Sequence, residues 1–158
     1  MKSFLALVTV FAAGVVSAQA NTFMYNNSTN DLAIRFHPGL FEVGDEINFE
    51  AGTPRILDSF SFEYYALAGT GNTLGNGPEA RVRFYANNGP EFNGYATPGD
   101  LLFDSGAFAV PTAETPRSTF VFSSGADFPA AGLDLTGYDT ITWSVQFQDV
   151  EKPDEVGL

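Results

Sequence analysis

The stretch Ile141-Thr-Trp-Ser-Val-Gln-Phe-Gln148 alternates apolar and polar residues without a break over its whole length. An extended strand with one buried and one wet face has this period of two, whereas a helix would scatter the apolar residues around its circumference. The pattern assigns Ile141, Trp143, Val145 and Phe147 to a core, and Thr142, Ser144, Gln146 and Gln148 to water. The same period recurs at Phe60, Phe62 and Tyr64, at Val82, Phe84 and Ala86, and less cleanly at Phe120 and Phe122. Shorter strand signals are Leu32-Ile34-Phe36, Ile47-Phe49, and Leu101 to Phe103 with Phe108 beyond. Ala68 to Pro78, Asn87 to Gly99 and Asp127 to Gly137 read as loops, the first two rich in the Gly and Asn that accept positive φ and the Pro that removes a ladder donor. Many short strands with this punctuation predict an all-β chain forming a single antiparallel β-sandwich, jelly-roll or immunoglobulin-like, over residues 21–148.

The strands do not begin at once. Lys2, an uncharged stretch from Phe4 to Val16, and Ala18-Gln19-Ala20 form a secretory signal peptide, with cleavage expected after Ala20. The apolar stretch is short of the roughly 20 residues that cross a bilayer, so no membrane span is expected in the mature portion. At the other end the alternation is lost after Phe147, and residues 149–158 read as a tail or a truncated continuation.

Composition narrows the function. With 19 acidic and 7 basic side chains the formal charge is −12, and losing Lys2 with the leader makes it more negative. Such a chain is a poor phosphate neutraliser, so no nucleic-acid partner is expected. The absence of cysteine excludes thiol catalysis, disulfides and thiolate metal sites. An exported, acidic, cysteine-free chain points to secretion or the cell surface of a Gram-negative bacterium. The glycosylation acceptors formally present in Asn26-Asn27-Ser28-Thr29 would matter only in a eukaryote.

Two segments carry a resemblance: Arg81-Val-Arg-Phe-Tyr-Ala-Asn-Asn-Gly89, and Pro98-Gly-Asp-Leu-Leu-Phe-Asp-Ser-Gly-Ala-Phe108. They resemble exported bacterial proteins that carry a PEP-CTERM sorting tail, as do Gly44-Asp-Glu-Ile47 and Arg55-Ile-Leu-Asp-Ser-Phe-Ser-Phe62 before them. The likeness spans about Val43 to Phe147. It implies surface display or association with secreted polysaccharide, and it supplies no catalytic residues. The Pro-Glu-Pro segment, apolar helix and basic terminus of that pattern are not among these residues; the expectation is that they lie beyond Leu158 or that the protein has no such anchor.

Catalytic machinery is not expected. His37 is the one histidine, precedes Pro38, and has no Gly-x-Ser-x-Gly elbow to serve. Carboxylates are plentiful but lack the compact pairing of a glycosidase on any strand. Asp134 and Asp139 bracket a turn before the last long strand and are calcium candidates, because that ion takes oxygen ligands. Glycan contact needs aromatic faces with polar groups beside them. By parity Tyr65 and Tyr85 point away from the core together with Glu63, Arg81 and Arg83, so adjacency of their strands would create an aromatic patch, extended by Tyr95 from its loop. The functional expectation is a non-catalytic sandwich with an adhesion, envelope or matrix role, its partner a polysaccharide or a surface protein. The alternatives are a dedicated carbohydrate-binding module and a fragment of a calcium-dependent hydrolase.

Overall fold

The computed structural model describes residues 23–27, 34–49 and 55–158. The signal peptide, Leu32 of the first strand signal, and Ser28-Thr29 of the glycosylation acceptors lie outside the described residues. Nine strands form, and no helix is found among the described residues. They are β1 (Val43–Asn48), β2 (Ile56–Leu57), β3 (Ser59–Leu67), β4 (Glu79–Ala86), β5 (Leu101–Ala109), β6 (Thr115–Ser123), β7 (Leu133–Asp134), β8 (Thr140–Gln148) and β9 (Glu155–Gly157). One sheet has the order β1-β8-β4-β5 and the other β6-β3-β9, while β2 and β7 pair as a small ribbon. Every pairing between these strands is antiparallel. The expected β-sandwich is the fold. No helix among the described residues is long and apolar enough to cross a membrane.

The alternating strands close the sandwich. On β8, Ile141, Val145 and Phe147 are almost wholly buried, and Trp143 joins them in the core. β4 contributes Val82 and Phe84 from the same sheet, and Phe62 and Tyr64 face them from β3. Aromatic rings interlock between the layers. Phe60 meets Phe84 edge-on with ring centroids 5.0 Å apart and lies 5.1 Å from Trp143, while Phe62 lies 5.7 Å from Trp143. Such contacts add about 0.5–1.5 kcal/mol per pair beyond the area they bury.

Strand β5 departs from strict alternation for a steric reason. Phe103 and Phe108 both pack against the core, yet an odd spacing of five would put them on opposite faces of a regular strand. The register with β4 slips between Arg81 and Arg83, where Ala107 and Asp104 are the partners. Gly106, at φ +66°, supplies the bulge. Ser105 Oγ accepts a bond from the Val82 amide at 2.9 Å, replacing a ladder bond. Asp104 Oδ1 accepts from the Gly106 amide at 2.8 Å, and its carboxylate emerges on the outer face of the sheet.

Residues 149–158 are more than a tail, because they return to the sheet. β9 pairs with Tyr65–Leu67 of β3, and its Val156 is fully buried. A three-residue strand has room for one inward side chain, too few to show a period. The segment before β1 is irregular over Ile34–Phe36 rather than a strand. It is tied to β9 nonetheless: the Phe36 amide donates to the Leu158 carbonyl (2.7 Å) and the Leu158 amide to the Phe36 carbonyl (3.0 Å).

Candidate functional site

The sheet order separates the residues that parity grouped together. Glu63 and Tyr65 lie on β3, and Arg81, Arg83 and Tyr85 on β4, in different sheets whose outer faces point to opposite sides of the sandwich. No joint aromatic–Arg–Glu patch forms. Tyr65 does face outward, but it is only 4% exposed. The Arg35 guanidinium lies 5.3 Å from its ring centroid. Burial, with the Glu155 carboxylate nearby, holds the Tyr65 hydroxyl above its ordinary pKa. Glu63 pairs with Arg117 across β3 and β6.

On the opposite face, the β4 residues are tied into a network. Glu42, just ahead of β1, accepts from three side chains: Arg83 NH1, Tyr85 Oη at 2.8 Å, and Ser144 Oγ. Arg83 Nε turns to Asp104 Oδ2 at 3.4 Å, and Arg81 holds both oxygens of the same carboxylate, with Nε to Oδ1 at 2.7 Å. The Arg81 fork holds the Asp104 carboxyl down at about 2, with the Gly106 amide and the Arg83 charge assisting. Burial, then the bond to Glu42, raises the Tyr85 hydroxyl. Arg81, Arg83 and Tyr85 therefore spend their polar groups on the protein itself.

The calcium candidates are likewise engaged. Asp134 Oδ1 accepts from the Thr136 amide at 2.9 Å, and hydrogen bonds from Thr136 lower its pKa. Asp139 Oδ1 accepts from Arg55 NH1 at 2.9 Å, and the same nitrogen donates to the Tyr138 carbonyl. Arg55, 8% exposed, thus brings a positive charge to the oxygens of this turn. No group of three or more His, Asp or Glu suited to a metal occurs among the described residues.

Tyr95 has a different setting. Phe92 and Tyr95 exchange both backbone bonds, at 2.9 and 3.0 Å, around Asn93 and Gly94. Those two residues have φ of +52° and +84°, the pairing that a two-residue type I′ turn demands and that Asn-Gly favours. The turn holds two large aromatic side chains in the open, Phe92 at 68% and Tyr95 at 75% exposed. Beside it lies an open cleft of about 480 Å³. One wall is Asn87, Asn88 and the Gly94–Ala96 stretch; the other is Gly137 to Thr140, including Tyr138, with Glu46 of β1 between them. The cleft exists because β8 lies between β1 and β4, which sets the end of β1 and the two loops at one end of the sheet. Glu46 Oε1 accepts from Asn48 Nδ2 at 3.0 Å and Oε2 from Asn87 Nδ2 at 2.9 Å, while Asn87 Oδ1 accepts from Thr142 Oγ1 at 2.6 Å. Of the sequence-derived candidates, Tyr95 from the glycan set and Asp139 from the calcium pair line this cleft. Glu46, Asn87 and Tyr138 were not assigned to a glycan site, although Asn93-Gly94 flanked by aromatic residues was a visible signal for a display turn.

No protein-family profile, curated protein or solved structure matches this chain. The functional reading therefore rests on its own residues.

Proposed function

We propose that the chain is an exported, non-catalytic β-sandwich module of the cell surface or extracellular matrix of a Gram-negative bacterium, and that it contacts polysaccharide through the cleft beside Tyr95. The leader at Met1–Ala20 and the resemblance to PEP-CTERM proteins support export and display. The observation that carries the glycan reading is the type I′ turn that presents Phe92 and Tyr95 beside a cleft lined by amide, hydroxyl and carboxylate groups. Aromatic faces stack on sugar C–H groups, and convergent polar groups fix hydroxyls. A turn closed by its own backbone bonds also reduces the ordering cost of binding.

The test is a glycan array probed with the secreted protein, its Tyr95→Ala variant and a Tyr85→Phe control. The parent should bind a defined set of glycans, Tyr95→Ala should bind them about tenfold more weakly, a loss of about 1.4 kcal/mol, and Tyr85→Phe should match the parent. Binding by Tyr95→Ala equal to that of the parent would remove the cleft from the reading. A parent that retains no glycan would remove the reading itself.

A further inference from the structure

We infer that the cleft discriminates by charge: it selects saccharides bearing free amino groups, such as 2-amino-2-deoxyhexose units, over uronates, with Glu46 as the selecting residue. This inference rests on the polysaccharide reading above. Among the described residues no Arg or Lys lines the cleft, whereas Glu46 and Asp139 both do. The two acids differ in what answers their charge. Asp139 is paired with Arg55, but the partners of Glu46 are the amides of Asn48 and Asn87. Those neutral donors fix the carboxylate in place without cancelling it, and no salt bridge among the described residues reaches it.

The cleft thus holds one positioned, uncompensated negative charge within a strongly acidic protein. A uronate entering it meets like charge with no cation to receive its carboxylate. An ammonium finds a charge-assisted acceptor whose position has already been fixed, and neutral hydroxyl-rich sugars fall between these cases. Tyr95 and Tyr138 supply apolar surface that all three sugar classes share, so Glu46 sets the preference and Tyr95 the overall strength.

The experiment titrates the full secreted chain by calorimetry with three oligosaccharides of matched length: a neutral β-glucan, a fully de-N-acetylated chito-oligosaccharide and an oligogalacturonate. The parent should bind the amine-bearing oligomer about fivefold more tightly than the neutral one, and the oligogalacturonate most weakly. Glu46→Gln should bring the amine-bearing and neutral affinities level with each other, whereas Tyr95→Ala should weaken both and keep their ratio. Raising the salt on the unaltered protein supplies a readout that needs no variant: the amine preference should shrink while neutral binding holds, because salt screens the ionic contact alone. Tighter binding of the uronate, or an amine preference that survives in Glu46→Gln, overturns the inference and leaves the polysaccharide reading standing. Failure of all three oligomers to bind, with no glycan retained on the array, defeats that reading instead.

Discussion

The outer face of the four-stranded sheet and the cleft at its end are built from the same strands and much the same residue types, yet they differ in what remains unused. On the face, the Glu42 carboxylate receives Arg83, Tyr85 and Ser144, and Asp104 receives both arginines. These contacts are cross-braces, holding the segment before β1 and the β5 bulge onto the sheet. In the cleft, Glu46 has amide partners only, and Tyr95 stands three-quarters exposed. Polar richness by itself therefore does not mark a binding surface; what sets the cleft apart is a carboxylate held by neutral donors, with no guanidinium answering its charge.

The largest expected effect that would break this contrast lies at Glu42. Glu42→Ala leaves the Arg83 side chain, only 12% exposed, without one of its two carboxylates, and should cost about 2–3 kcal/mol in urea unfolding. Glycan binding by the folded variant should not change. A smaller loss, or altered binding, would mean that the face is not a brace.

Next comes Asp104. Its pKa of about 2 lies below that of an ordinary carboxylate, so its stabilisation is complete above about pH 4 and is lost as pH falls through about 2. Asp104→Asn should therefore be less stable than the parent at neutral pH. It should also show a shallower fall in stability between about pH 4 and 2, measured by denaturant midpoints at each pH. An unchanged slope would show that Asp104 is not the group responsible.

At the cleft the expectation reverses. Tyr95→Ala should change unfolding free energy by no more than about 0.5 kcal/mol, since it removes an exposed side chain from a turn closed by backbone bonds. The smallest effect is expected from a chelator: Thr136 and Arg55 already engage Asp134 and Asp139, so the melting temperature should not move. A fall on chelation would bring calcium back to this turn.

The long strands were legible because each repeats its alternation often enough to declare a face, as β3, β4 and β8 do. β5 was harder to read, because its bulge changes parity between Phe103 and Phe108. β2, β7 and β9 are too short to show a period at all. The parity of Tyr65 was right and its exposure was not, since local pattern cannot report that Arg35 and β9 come to lie against it. The grouping of β3 with β4 failed for a related reason: strand neighbours are chosen by long-range pairing, and alternation says which way a residue faces without saying what stands beside it. The cleft was legible in part, in Tyr95 and in Asp139 as a calcium candidate, because Glu46, Asn87 and Tyr138 converge only after β1, β8 and β4 have aligned.

The reciprocal bonds between Phe36 and Leu158 close the described fold into a circuit. Two points far apart along the chain are neighbours in space, so the order in which the strands are threaded is separable from the architecture they build. A short bridge from Leu158 to the residues before Phe36 would preserve every pairing in both sheets. New ends could then be opened at an exposed loop such as Gly71–Thr73 without cutting any of the nine strands.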